Sequence, residues 1–141
     1  MPRSDNQKLK LLYLKQYLEQ QTDEEHPAGT QALIAYLDSL GIRAERKSIY
    51  DDIARLQDFG MDICVRRGRG GGFYLASRTF ELPELKLLVD AVQSSRFLTA
   101  KKSMELIGKL ETLAGMHEAG SLRRQLVVTG RVKTMNESIY Y

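Results

Sequence analysis

Between residues 7 and 59 the apolar positions recur at helical spacing in three blocks, each closed by a polar or glycine-containing break. In "NQKLKLLYLKQYLEQQ", Leu11, Leu14 and Leu18 fall at i, i+3 and i+7, with Leu9, Leu12 and Tyr13 widening the stripe. This predicts one amphipathic helix running to about Gln21. The loop "TDEEHPAG" follows, and Thr30 stands where an N-cap belongs, ahead of "QALIAYLDSL" with Ile34 and Leu37 inward and Gly41 closing the helix. After "GIRAE", the block "RKSIYDDIARLQDFG" repeats apolar residues at Ile49, Ile53 and Leu56 and stops at Gly60.

The period then changes from helical to two. "MDICVRR" puts Ile63 and Val65 on one face, and "GGFYLA" does the same with Phe73 and Leu75, so the glycine run between them is the turn of a hairpin. Two short helices joined by a tight turn, behind a longer first helix and ahead of a hairpin, are the elements of a winged helix-turn-helix. Further on, "FELPELKLLVDAVQSSRFLT" carries Pro83 near a helix start with Leu85, Leu88, Val89 and Val92 inward. "TAKKSMELIGKLETLAG" adds a helix capped by Thr99, with Met104, Leu106, Ile107 and Leu110 apolar and Gly115 at its end, and residues 118–127 suit another helical turn or two. The expected fold is mainly α with a small β-hairpin (α+β). Residues 1–79 form the winged helix-turn-helix, 80–127 a helical extension that completes a core or dimerises, and 128–141 a linker.

Composition narrows the class without naming it. The 141 residues are 43% hydrophobic and 28% charged, as in an ordinary globular protein. No run approaches the roughly 18 apolar residues of a membrane span, and "MPRSDNQKLK" has no apolar signal core, so a cytoplasmic protein without a membrane partner is expected. The single cysteine, Cys64, has no partner for a disulfide or a zinc frame and reads as a small buried hydrophobe. The formal net charge of +3 is mild. Its distribution is more telling, because Arg66, Arg67 and Arg69 crowd three positive charges into the hairpin turn with no acid between them.

Those arginines lie among four glycines in "VRRGRGGGFYL". A nucleotide-binding loop would need its glycines to open a helix, with a lysine and hydroxyl or a distant acid to follow; here they open a strand. An arginine-glycine element for RNA is usually a longer repeated tract. A wing touching DNA phosphate or minor groove accounts for long charged side chains on a turn that must approach a backbone closely. A merely solvated hairpin is the plain alternative.

With Ile49, Ile53 and Leu56 inward, Lys47, Asp51, Ala54 and Asp58 point outward, with Tyr50 on one shoulder and Ser48 and Arg55 on the other. The N-terminal part of such a helix enters the major groove, which makes Arg46, Lys47, Ser48 and Tyr50 the candidates for base and phosphate contacts, with Arg55 further along. Asp51 is expected to pair with Lys47 or Arg55 rather than face phosphate, and Asp52 to be structural. His26, His117 and Cys64 lie in separate segments and no serine sits in a nucleophile elbow, so neither an enzyme nor a cofactor is expected.

"TDEEHPAGT", "RKSIYDDIARLQDFGMDI", "GGFYL" and "FELPELKLLVDAVQSSRFLTAKKSMELIGKLE" together resemble the N-terminal part of the WYL-domain transcriptional regulators, whose winged helix-turn-helix is similar to the DeoR type. The resemblance spans about residues 7–141 and is most specific from Phe80 to Glu111. It implies a cytoplasmic transcription regulator that binds double-stranded DNA through Arg46, Lys47, Ser48 and Tyr50, with Arg67 and Arg69 on the wing. The chain has no tryptophan and ends at "NESIYY", where the name-giving effector domain would begin. The resemblance thus implies either a truncated product or a short family member, and it does not indicate an effector. A winged helix used only for protein contacts, or RNA binding through residues 66–72, are the rival functions; a homodimer through residues 83–127 stays open.

Overall fold

The computed structural model describes residues 5–125 and separates into two units, Met1–Ser77 and Arg78–Tyr141. The expected linker 128–141 lies outside the described residues. The fold is mainly helical with one two-stranded antiparallel hairpin, and no described helix is long and apolar enough to cross a membrane.

In the first unit a short 3-10 turn, Asp5–Leu9, leads into α1 (Lys10–Gln21), followed by α2 (Thr30–Ser39), α3 (Arg46–Phe59) and a hairpin of β1 (Ile63–Arg66) and β2 (Gly72–Leu75). Leu14 and Leu18 of α1, Leu33 and Leu37 of α2, and Ile49, Ile53 and Leu56 of α3 bury together with Ile42 of the connecting turn. Each such side chain contributes roughly 1.5–3 kcal/mol by leaving water. Ile34, expected inward, packs only partly against this core, and Leu33 takes the central place.

The first helix is rotated from its expected stripe. Leu11 is exposed, as are Leu9 and Leu12, while Lys10 is 9% exposed and occupies the core-facing position. The reason is electrostatic: Lys10 Nζ lies 2.7 Å from an oxygen of Asp52 on α3 and donates to Ser48 Oγ at 3.0 Å. An acid on the inner shoulder of α3 needs a cation there, and a lysine stem fills the apolar space beneath it.

Thr30 is not the N-cap of α2 but its first residue; Gly29 holds the cap position. Backbone pairing draws the chain toward the hairpin one residue earlier, Ala28 and Phe73 exchanging two N–H···O bonds of 2.8 Å. Ala28 thus adds a third, single-residue rung beside β2. The other side of the sheet's base is fixed by Thr22, whose hydroxyl donates to the Leu18 carbonyl at 2.6 Å and accepts from Leu75 N–H at 3.1 Å. Gln57 Nε2 donates to the Ile63 carbonyl at 2.8 Å and joins α3 to β1. Gly60 ends α3 in a left-handed conformation (φ 123°), as its position predicts.

The second unit contains α4 (Leu82–Ser94), α5 (Ala100–Glu111) and α6 (Met116–Gln125) around Leu85, Val89, Ile107, Ala114 and Leu122. Glu81 and Glu84 form a capping box at the start of α4, and Thr99 Oγ1 accepts from Lys102 N–H at 3.0 Å at the start of α5. Two positions assigned inward, Leu88 and Met104, are exposed; Gln93 and Ser103 are buried instead. Gly115 does not end α5. The chain tightens after Lys109, and the Gly115 carbonyl accepts from Glu118 and Ala119 N–H to open α6, so the last helix is longer than the turn or two expected over 118–127.

Candidate nucleic-acid interface

The N-terminal turn of α3 is set by Glu45 and Ser48. The Glu45 side chain takes the N–H of residue 48, and Ser48 Oγ accepts from Glu45 N–H at 3.1 Å and donates to the Glu45 carbonyl at 2.9 Å. With Lys10 donating to the same oxygen, the Ser48 hydroxyl is fully occupied inside the protein. It shapes the helix start, and in this arrangement its donor and both acceptor positions are taken by Glu45 and Lys10.

Arg46, Lys47 and Tyr50 stay outside. Tyr50 is 49% exposed and meets Phe73 edge to face, with ring centroids 6.0 Å apart at 68°. This contact holds the phenol at the boundary between helix and hairpin. Arg46 and Tyr50, the start of α2 at Thr30 and Gln31, and Val65 and Arg66 of β1 line one open groove of about 730 Å³. Lys47 is exposed on the same helical turn but not in the lining. Arg55 is exposed further along the helix, as expected, and pairs with Asp58 at 3.3 Å rather than with Asp51.

In the hairpin the register is Ile63 with Leu75, Val65 with Phe73 and Arg66 with Gly72. Ile63, Phe73 and Leu75 anchor it in the core as expected. Val65 does not; it is 54% exposed and forms part of the groove wall. Val65 shares a rung with Phe73, but Tyr50 packs on the phenylalanine and Ala28 pairs on its far side, which leaves the valine on the outer strand open to solvent. Arg66 Nη1 donates to the Glu24 carbonyl at 3.2 Å, which lays this arginine against the acidic loop. Arg67 and Arg69 remain exposed in the turn.

The glycines approach a backbone closely, and it is the protein's own. A Cβ on Gly72 would lie 2.3 Å from the Ala28 carbonyl carbon and oxygen, and one on Gly71 would lie 2.1 Å from the Arg66 carbonyl oxygen. A side chain on Gly72 would force the turn off the Ala28 rung, and one on Gly71 would open the turn itself at Arg66.

Two titratable groups flank the wing. Burial raises the Asp23 carboxyl, but the His26 ring at 2.8 Å and the N–H groups of His26 and Glu25 outweigh it and hold Asp23 below the usual range. Cys64, expected as a core residue, is half-buried on the outer face of the hairpin. Desolvation, then the Asp62 and Glu24 carboxylates, push its thiol up, so it stays protonated at neutral pH.

The contribution of Gly29, Thr30, Gln31 and Val65 to the groove was not signalled by periodicity, since it arises from segments remote in sequence. Lys10 had one sequence signal, a charge inside an apolar block. No protein-family profile, curated protein sequence or solved structure matches the chain.

Proposed function

We propose that the chain is a sequence-specific DNA-binding transcriptional regulator of the DeoR-like winged-helix kind, with double-stranded DNA as its partner. The observation that carries this reading is the shared groove: Arg46 and Tyr50 of α3, the first turn of α2 and Arg66 of the hairpin line one open surface, with Lys47 exposed on α3 and Arg67 and Arg69 exposed at the turn. The start of α3 enters the major groove, where Arg46, Lys47 and Tyr50 meet base edges and sugar-phosphate. The first-turn N–H groups of α2 have no intrahelical acceptors and favour a phosphate beside them. Arg67 and Arg69 grip phosphate or the minor groove.

An ordered hairpin, closed by the Gly71 N–H to Gly68 carbonyl bond at 3.1 Å, supports a wing over an extended RNA-binding tract. The deciding experiment is selection of bound genomic duplexes, then fluorescence anisotropy with the selected duplex and with single-stranded RNA of the same sequence over a salt series. Duplex binding that weakens steeply with salt is expected, with Lys47→Ala and Tyr50→Ala altering which sequences are selected. Absence of duplex binding at low salt, or tighter binding to RNA, refutes the proposal.

A further inference from the structure

We propose that Asp51 of α3 is a specificity-determining residue that accepts a hydrogen bond from the N4 amino group of a cytosine in the major groove. This rests on the chain being a DNA-binding regulator, and it names the base that one side chain of that surface selects. Three acids lie on α3, and two of them are matched: Asp52 by Lys10 at 2.7 Å and Asp58 by Arg55 at 3.3 Å. Asp51 is exposed and makes no hydrogen bond or ion pair among the described residues. Its expected partners stand four positions to either side, yet Arg55 turns to Asp58 and Lys47 leaves the carboxylate alone.

Two ordinary reasons for an acid at this place do not apply. The positive end of a helix favours acids only within its first turn, and Asp51 is the sixth residue of α3. Nor does it cap the helix, since Glu45 and Ser48 close the start between them. On a face that meets phosphates, an unmatched carboxylate lowers the affinity for every duplex alike unless a base rewards it. Lys47, Asp51 and Ala54 follow at i, i+4 and i+7 and form the outward ridge of α3, beside the Arg46 and Tyr50 ridge that lines the wing groove. Ala54 has no bulk to hold this ridge away from the base edges, which a side chain as short as aspartate requires.

Donor and acceptor chemistry picks the base. An ionised carboxylate only accepts. On the major-groove edge guanine shows two acceptors and thymine an acceptor with a methyl group, so both turn it away. Adenine sets an acceptor, N7, beside its N6 amino group, whereas cytosine presents its N4 donor with no acceptor of its own on that edge. Lys47, a pure donor one turn back on the same ridge, suits guanine O6 or N7. The two side chains together fit a G·C pair or two adjacent ones, acceptor to cytosine and donor to guanine. The same carboxylate penalises duplexes that lack the cytosine, because there it faces phosphates and base acceptors with nothing to accept from.

The test is selection of bound sequences from a random duplex pool by the full chain as wild type, Asp51→Ala and Asp51→Asn, followed by anisotropy titrations, with circular dichroism to verify folding. The wild-type motif is expected to hold a cytosine that Asp51→Ala no longer requires and that Asp51→Asn exchanges for adenine, which an amide meets through N6 and N7. Asp51→Ala should also bind unselected duplex more tightly than wild type. A second probe leaves the protein intact: N4-methylcytosine at that position keeps the proton that pairs with guanine and loses the one facing the major groove. It should weaken wild type by about tenfold and leave Asp51→Ala unaffected. A folded Asp51→Ala variant that selects the wild-type motif at every position overturns the proposal. So does a wild-type motif without an invariant cytosine, or an equal loss by both proteins on the methylated duplex. Those results leave DNA binding standing; a wild-type chain that binds no duplex at low salt refutes DNA binding, and the role of Asp51 with it.

Discussion

Replacing Lys10 by methionine isolates the interaction that holds α3 against α1. Methionine keeps the stem's volume and apolar contacts but removes the ammonium that lies 2.7 Å from Asp52 and 3.0 Å from Ser48 Oγ. At an effective dielectric of 20, two charges at this separation attract by about 6 kcal/mol, an upper bound from which the desolvation of both groups must be taken. Removing one partner leaves the other charge in the interior, which costs about 3–5 kcal/mol when burial is complete. The side chains of Lys10 and Asp52 keep 11% and 15% of their exposure, so the loss should fall at or just below the lower end, about 2–3 kcal/mol.

Urea unfolding followed by circular dichroism should show a lower midpoint with an unchanged slope for Lys10→Met. Lys10→Met/Asp52→Leu should recover most of the loss, since it removes the stranded carboxylate and fills its place with apolar atoms. Because the pair is shielded, the effect should change little with salt. A Lys10→Met variant within 0.5 kcal/mol of wild type, or a double variant whose loss is the sum of two large single losses, would refute the assigned role.

Four further outcomes follow from the same geometry. Arg67→Ala/Arg69→Ala should lower the slope of log affinity against log salt by about 2, so that its deficit for duplex DNA of roughly 60-fold at 0.1 M salt shrinks to about 20-fold at 0.2 M; anisotropy titrations giving the wild-type slope would remove these arginines from the phosphate backbone. Gly72→Ala should cost about 1–3 kcal/mol by pushing the hairpin off Ala28, seen as faster amide exchange at Ala28 and Phe73. Thr22→Val keeps the shape but strands the buried Leu75 N–H, for a loss of about 1–3 kcal/mol in thermal unfolding. Asp23 has a depressed folded-state carboxyl, so its stabilisation is present above the unfolded value of 3.8 and is lost as pH falls through the folded one; Asp23→Asn should flatten the acid limb of the stability curve there, and an unchanged limb would contradict the His26 contact.

Several parts of the candidate interface were legible along the chain. The inward set Ile49, Ile53 and Leu56 orients α3, which leaves Arg46, Lys47 and Tyr50 exposed without further information. The hairpin follows from alternation on either side of a glycine run, and Arg67 and Arg69 fall in its turn by position alone. For Ser48 the sequence does not choose, because a hydroxyl in the first turn of a helix suits a base contact and a capping box equally; its bond to Lys10 comes from thirty-eight positions away. Val65 follows its strand's alternation correctly, and its exposure depends on how far the helical layer extends over the sheet.

By itself the sequence determined the order and kind of the elements, because helix and strand periods, glycine stops and caps are set by residues within a turn or two of one another. Tertiary structure decided which polar groups are consumed inside and which remain for a partner. Lys10 with Asp52, Thr22 with Leu75, and Ala28 with Phe73 are pairings between distant segments, formed because a buried charge or backbone group must be matched wherever the fold brings a match within reach. The same principle sets the two exposed surfaces. The wing groove exists because Ala28 binds β2 and draws α2 toward the hairpin, and on α4 Leu87 and Leu88 stay exposed because the unit's own core takes Leu85 and Val89.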